Sequence, residues 1–124
     1  MQDDPTPTEL IKAVADFLRD DIAPMISGHN AFKLRVAINA LDLVTRQLTL
    51  ESRSDAAEAA RLKGLLGMDG SLVELNRVLC ERIAKGEVDL QTPGMTEHLW
   101  QTTMDKLAVD QPNYASYKRE LGSK

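Results

Sequence analysis

The chain has one cysteine, Cys80, in 124 residues. No intramolecular disulfide can form, which fits a reducing compartment and sets cytoplasmic location as the expectation. Aromatic residues make up only 4% of the chain. Its core must come mainly from Leu, Ile, Val and Ala, a composition that favours helices over strands. No segment alternates apolar and polar residues over a useful length, and no apolar run approaches the roughly 20 residues that cross a bilayer. Asp3 and Asp4 stand where a signal peptide would carry basic residues before an apolar run, so none is expected. Positive charge is also short: the net charge is -4, which argues against a nucleic-acid duplex or an anionic membrane as the main partner. Motifs with known chemistry are missing too. There is no HExxH, CxxC or paired ExxH, no GxxxxGK[ST] and no GxGxxG, so no metal site and no catalytic residue set is expected.

Hydrophobic residues account for 43% of the chain, enough for one helical domain over 1–124 with its own core. The segment from Asn30 to Leu50 is the richest part. At about 100° per residue, Leu34, Ile38, Leu41 and Leu48 fall on one side and Phe32, Val36, Leu43 and Leu50 on the opposite side, with Ala37, Ala40 and Val44 bridging them. So wide an apolar arc is expected of a helix buried at the centre of a bundle. The expected fold is all-α, a single-domain bundle of about five helices around this segment.

The other expected helices follow from their ends. Thr6, Pro7 and Glu9 form a capping box with proline in the first turn, starting a helix that runs to about Ile22 before Pro24 ends it. Residues 1–5 are a short lead. Asn30 is positioned to cap the central helix. The polar run Glu51-Ser52-Arg53-Ser54-Asp55 reads as a break, after which Ala56 to Leu66 forms an alanine-rich third helix. Gly67 suits the left-handed position beyond its end. Ser71 and Glu74 make a second capping box for a helix from Leu72 to Lys85, with Leu72, Leu75, Leu79 and Ile83 on one face. Thr92-Pro93 repeats the cap-and-proline pattern for a fifth helix reaching about Asp110, with Met95, Leu99, Thr103 and Leu107 inward. Tyr114 is expected to dock on the bundle, and the tail over about 115–124 to be mobile.

Few residues stand out as candidates for function. Arg35, Asn39, Asp42 and Arg46 keep helical spacing on one face of the central segment. They form either a structural network, with Asp42 paired to Arg46 or Arg35, or a recognition surface whose guanidinium groups meet a carboxylate or phosphate. Asn76 lies within an apolar face and needs a hydrogen-bond partner, expected on a neighbouring helix. Trp100, the only tryptophan, suits a core plug or an interface anchor equally. His29 reads as a helix-entry residue, His98 receives no catalytic role, and Cys80 reads as a small core residue. The Gly67–Gly70 segment before a helix start reads as an ordinary turn.

One pattern extends over nearly the whole chain. It comprises Pro5-x-x-x-Glu9-Leu10, Ala31-Phe32-x-x-Arg35-Val36-Ala37-x-Asn39-x-Leu41, Leu66-Gly67, Gly70-Ser71-Leu72-x-Glu74-Leu75-Asn76, Ile83-x-x-Gly86 and Lys106-Leu107-Ala108-Val109-x-x-Pro112-x-Tyr114. It resembles a family of small bacterial proteins known only as a domain of unknown function. Members of that family are typically encoded beside a kinase of the aminoglycoside-phosphotransferase type and an acyl-CoA dehydrogenase. The resemblance implies a non-catalytic accessory subunit of a kinase acting on 4-hydroxyacyl-CoA in hydroxy- and keto-acid catabolism. ATP and Mg would then belong to the partner kinase, and this chain would carry no cofactor. Arg35, Asn39, Asn76, Lys106 and Tyr114 fall within the recurring pattern, as residues that either hold the bundle together or meet the partner. Two other readings remain open: a stand-alone module that binds acyl-CoA or a similar anion, with Arg35, Arg46 and Lys106 meeting the charge, and a homo-oligomer that covers the second apolar side of the central helix. A free-standing enzyme comes last.

Overall fold

The computed structural model describes residues 4–122, so most of the expected lead at 1–5 and the final two residues of the tail lie outside it. Among the described residues the fold is all-α, with five α-helices and no strand. These are α1 (Pro7–Phe17), α2 (His29–Leu66), α3 (Leu72–Ala84), α4 (Met95–Asp110) and α5 (Ala115–Gly122). The backbone forms two compact units, Met1–Leu50 and Glu51–Lys124.

In the first unit, Thr6 caps α1 as its sequence predicts. Its side chain accepts from the Glu9 backbone N–H at 3.2 Å, and the Glu9 carboxylate accepts from the Thr6 N–H at 3.1 Å. The helical path does reach Ile22, but not in α form. Leu18–Ile22 is a π-helical turn and Ala23–Met25 a 3₁₀ turn. Pro24 explains the change, because it has no N–H to donate and its ring excludes the carbonyl four residues back, so the chain leaves α geometry before reaching it. Gly28, at φ 72°, then turns the chain into α2. This helix starts at His29, so His29 is the helix-entry residue, whereas Asn30 lies within the first turn and does not cap it.

The expected burial of the 30–50 segment needs correction. Ile38 is buried and Leu34 and Leu41 are half-buried, so one side does pack. Phe32, on the other side, is 58% exposed and Val36 52% exposed. Ala15 and Ile38 are the only buried residues described in this unit. Leu43 and Leu50 on the Phe32 side are half-buried, and Leu48 on the first side is 46% exposed, so burial follows neither apolar side as a whole.

The expected break at Glu51–Asp55 is absent, and α2 continues through it to Leu66. Polar character alone does not end a helix, and this run contains neither Gly nor Pro. Merging the two expected helices would lower their number, but Ala115–Gly122, expected as mobile tail, forms α5 instead.

The core of the second unit is built from Leu62, Leu66, Leu75, Leu79, Val88 and Met95. The few large residues of the alanine-rich stretch thus supply its centre, with Leu62 and Leu75 fully buried. The end of α2 is satisfied twice. Gly67, at φ 66°, donates its N–H to the Lys63 carbonyl at 2.9 Å, and Arg82 donates to the Leu66 carbonyl at 2.9 Å. The Ser71–Glu74 capping box starts α3 as expected. Thr92-Pro93 does not start α4: Gly94 is the N-cap, and Thr92 instead accepts from the Asp89 N–H within the preceding turn. The buried face of α4 is also rotated from the expected one. Met95, His98 and Met104 are buried, while Leu99 and Thr103 are exposed.

Candidate functional site

The polar stripe of α2 lies along the groove that α1 forms with α2. Its elements bring together residues far apart in sequence. Arg19, in the π turn, donates to Asp16 at 3.0 Å and to Asp42 at 2.5 Å. Lys12 completes the cluster with a 2.7 Å bond to Asp16. Asp42 therefore pairs with Arg19, and not with Arg46 or Arg35 as its helical spacing suggested. The hydrogen bond from Lys12, reinforced by the nearby Arg19, holds the Asp16 carboxyl below the usual carboxylate range. The bond to Asp42 raises the Arg19 guanidinium above its ordinary value.

Two depressions line this groove, each of about 300 Å³. One is walled by Arg19, Ala23, Ala31, Arg35, Ile38 and Asn39, and the other by Lys12, Asp16, Arg19, Asp42, Thr45 and Arg46. All four residues of the predicted stripe thus lie at the groove. Arg35 and Asn39, both exposed, make no hydrogen bond or ion pair with any described residue through their side chains.

A second polar cluster lies in the other unit, and sequence reasoning missed it. His98 is 4% exposed and is the buried polar residue of the core. Arg61 on α2 donates from Nε to His98 Nδ1 at 3.3 Å and from its terminal nitrogen to Thr102 Oγ1 at 3.3 Å, and Asp105 stands 3.9 Å from the same guanidinium. Burial, and then the Arg61 charge, push the His98 imidazole below its ordinary value, with Glu58 opposing them. Nδ1 must therefore accept, which places the proton of the neutral ring on Nε2. The signal was present in the spacing His98, Thr102, Asp105 on one helix face. Its partner Arg61, 37 residues upstream, had no local mark. A cleft of about 310 Å³ opens beside this cluster, lined by Arg61, Gly64, Leu65, Gly94, Glu97 and His98 among others.

The remaining sequence candidates are dispersed. Asn76 finds the expected interhelical partner: its Nδ2 donates to Glu58 on α2 at 3.2 Å and to the Leu72 carbonyl at 3.1 Å. Trp100 is 48% exposed on α4, which removes the core-plug reading. Lys106 is exposed on the same helix. Tyr114 is half exposed and does not dock as expected; its backbone carbonyl instead accepts from Lys118 at the start of α5. Cys80 is an exposed free thiol, not a core residue. Among the described residues no group of His, Cys, Asp and Glu is arranged to hold a metal ion, and no helix is long and apolar enough to cross a membrane.

Residues 24–114 match a family model described as a domain of unknown function, DUF6285. No curated protein and no solved structure matches the chain.

Proposed function

The chain belongs to the DUF6285 family, and we propose that it is a non-catalytic accessory subunit that docks on a phosphotransferase-type kinase acting on hydroxyacyl-CoA in hydroxy- and keto-acid catabolism. One observation supports docking above the others. Among the described residues the first unit buries only Ala15 and Ile38, while Phe17, Met25, Phe32 and Val36 are each more than half exposed. Soluble proteins rarely leave so much large apolar surface uncovered on so small a core unless a partner meets it. The kinase as that partner rests on the sequence resemblance. In this reading the kinase supplies ATP, Mg and the catalytic base, and this chain supplies interface area. The test is co-expression of the untagged chain with a tagged aminoglycoside-phosphotransferase-type kinase from the same genome, then size-exclusion chromatography and a phosphorylation assay on 4-hydroxyacyl-CoA. Co-elution with raised kinase activity is expected. Separate elution with unchanged activity would sink the proposal.

The cleft beside Arg61 and His98 favours a second reading, a stand-alone module that binds acyl-CoA or a similar anion. A thermal shift of the lone protein with coenzyme A thioesters, lost on Arg61→Ala, would support it. Between the two, the cleft is the weaker ground, because Asp105 stands 3.9 Å from Arg61 and Glu97 lines the wall, which leaves little positive charge for an anion.

A further inference from the structure

We infer that the outward face of α2 between Phe32 and Arg46 receives an amphipathic helix of the kinase partner, one whose apolar stripe is bordered by carboxylates. The inference rests on the accessory-subunit reading and specifies the chemistry of the docking segment.

Two stripes run side by side on this part of α2. Phe32, Val36 and Leu43 are spaced by four and seven residues, the positions of a helical apolar ridge. Arg35, Asn39 and Arg46 follow the same spacing, displaced around the helix by less than a quarter-turn at the Asn39 edge. Phe32 and Val36 are exposed and Leu43 is half-buried, so the ridge is open to a partner at its Phe32–Val36 end. Spacing of i, i+4 and i+11 is how one helix offers anchors to another laid along it.

Charge selects the partner. The groove beside the ridge holds four cations, Lys12, Arg19, Arg35 and Arg46, against two carboxylates, Asp16 and Asp42. Asp20 also acts on Arg19 from nearby and Arg46 has an interaction of its own, which leaves Arg35 as the guanidinium open to a partner carboxylate. Both groove carboxylates are already bonded to Lys12 or Arg19. Arg35 has no such bond, and its planar fork fits a carboxylate on two donors. The small side chains of Ala23 and Ala31 line the depression beside it. A second copy is the poorer occupant. In an antiparallel two-fold pair each edge of the face meets itself, which would set cationic stripe against cationic stripe.

The experiment is co-purification of the full chain with the tagged kinase, comparing wild type with Arg35→Glu, Phe32→Asp and the control Val73→Asp. Val73 is 80% exposed on α3, outside the proposed face. All three sites are exposed, and circular dichroism checks that each variant folds. Wild type and Val73→Asp should be retained equally, while Arg35→Glu and Phe32→Asp should weaken binding by about tenfold or more. Retention of both face variants at the wild-type level overturns the inference and leaves the accessory-subunit reading standing. If wild type fails to bind the kinase, that reading fails first. The face is then probed alone with two labelled helical peptides, each with a leucine stripe, bordered by glutamates in one and by lysines in the other. Preference for the glutamate peptide, lost in Arg35→Glu, keeps the charge selection. Equal binding or none overturns it. Sedimentation that shows a dimer broken by Phe32→Asp would give the face to a second copy and also overturn it.

Discussion

Arg61 donates its Nε hydrogen to Nδ1 of His98 across 3.3 Å, tying α2 to α4 inside the second unit. The bond exists only while Nδ1 has a free lone pair, so it requires a neutral imidazole. Protonation would turn the acceptor into a donor that faces a guanidinium, in a site that is 4% exposed.

This sets a pH dependence with a definite sign. Burial and the Arg61 charge hold the His98 imidazole below its ordinary value, which is about 6.5 in an unfolded chain. The unfolded state therefore takes up the proton first as pH falls. Stabilisation from neutral His98 is fully present above about pH 6.5 and is lost as pH falls toward the folded-state value. Thermal melts between neutral pH and about pH 5 should show falling stability, and His98→Gln should flatten that slope. An unchanged slope in His98→Gln would show that the dependence has another source.

The core of the second unit should be sharply intolerant of truncation. Leu62 and Leu75 are fully buried within one cluster. Leu62→Ala or Leu75→Ala should each cost about 2–5 kcal/mol, from lost burial plus the cavity left behind. Denaturant titration would measure this as a lower midpoint. Phe32→Ala, at an exposed site, should move the midpoint little by comparison.

That contrast marks how far the sequence could be read. Capping boxes at Thr6–Glu9 and Ser71–Glu74 were legible because the chemistry lies within four residues. The partner of Asn76 was legible as a need, since an amide among leucines must bond to something, though not as Glu58. Periodicity showed that α2 has two apolar sides, but it carries no information on whether an element exists to cover each. The buried centre expected for Phe32 and Val36 failed on that point. The Arg19–Asp42 pair of the groove and the Arg61–His98 pair of the cleft were illegible for one shared reason. Each joins residues 23 and 37 positions apart respectively, and the rules of helical spacing see only one turn or two.

Gly64 offers a stabilising substitution. It lies inside α2, and a Cβ built there would meet nothing within 4 Å. Gly64→Ala should therefore add about 0.5–1 kcal/mol by lowering the entropy of the unfolded chain. It also lines the cleft beside His98. A raised melting temperature with unchanged helical circular dichroism would show this local gain.

The continuity of α2 through Glu51–Asp55 can be tested directly with proline. If the run were a loop, as its polarity suggested, Ser52→Pro would be tolerated there and would change helix content little. In the structure Ser52 lies well inside a helix from His29 to Leu66. A proline at 52 removes one backbone donor and drives its ring against the carbonyl of residue 48, at a cost of about 3 kcal/mol or more. The expected result is a lower melting temperature with a clear loss of helical circular dichroism. Ser52→Ala, which only removes a hydroxyl from an exposed helical position, should leave both unchanged or slightly raised. Equal behaviour of the two variants would mean that the chain is not helical at residue 52, and that the polar run separates two helices after all.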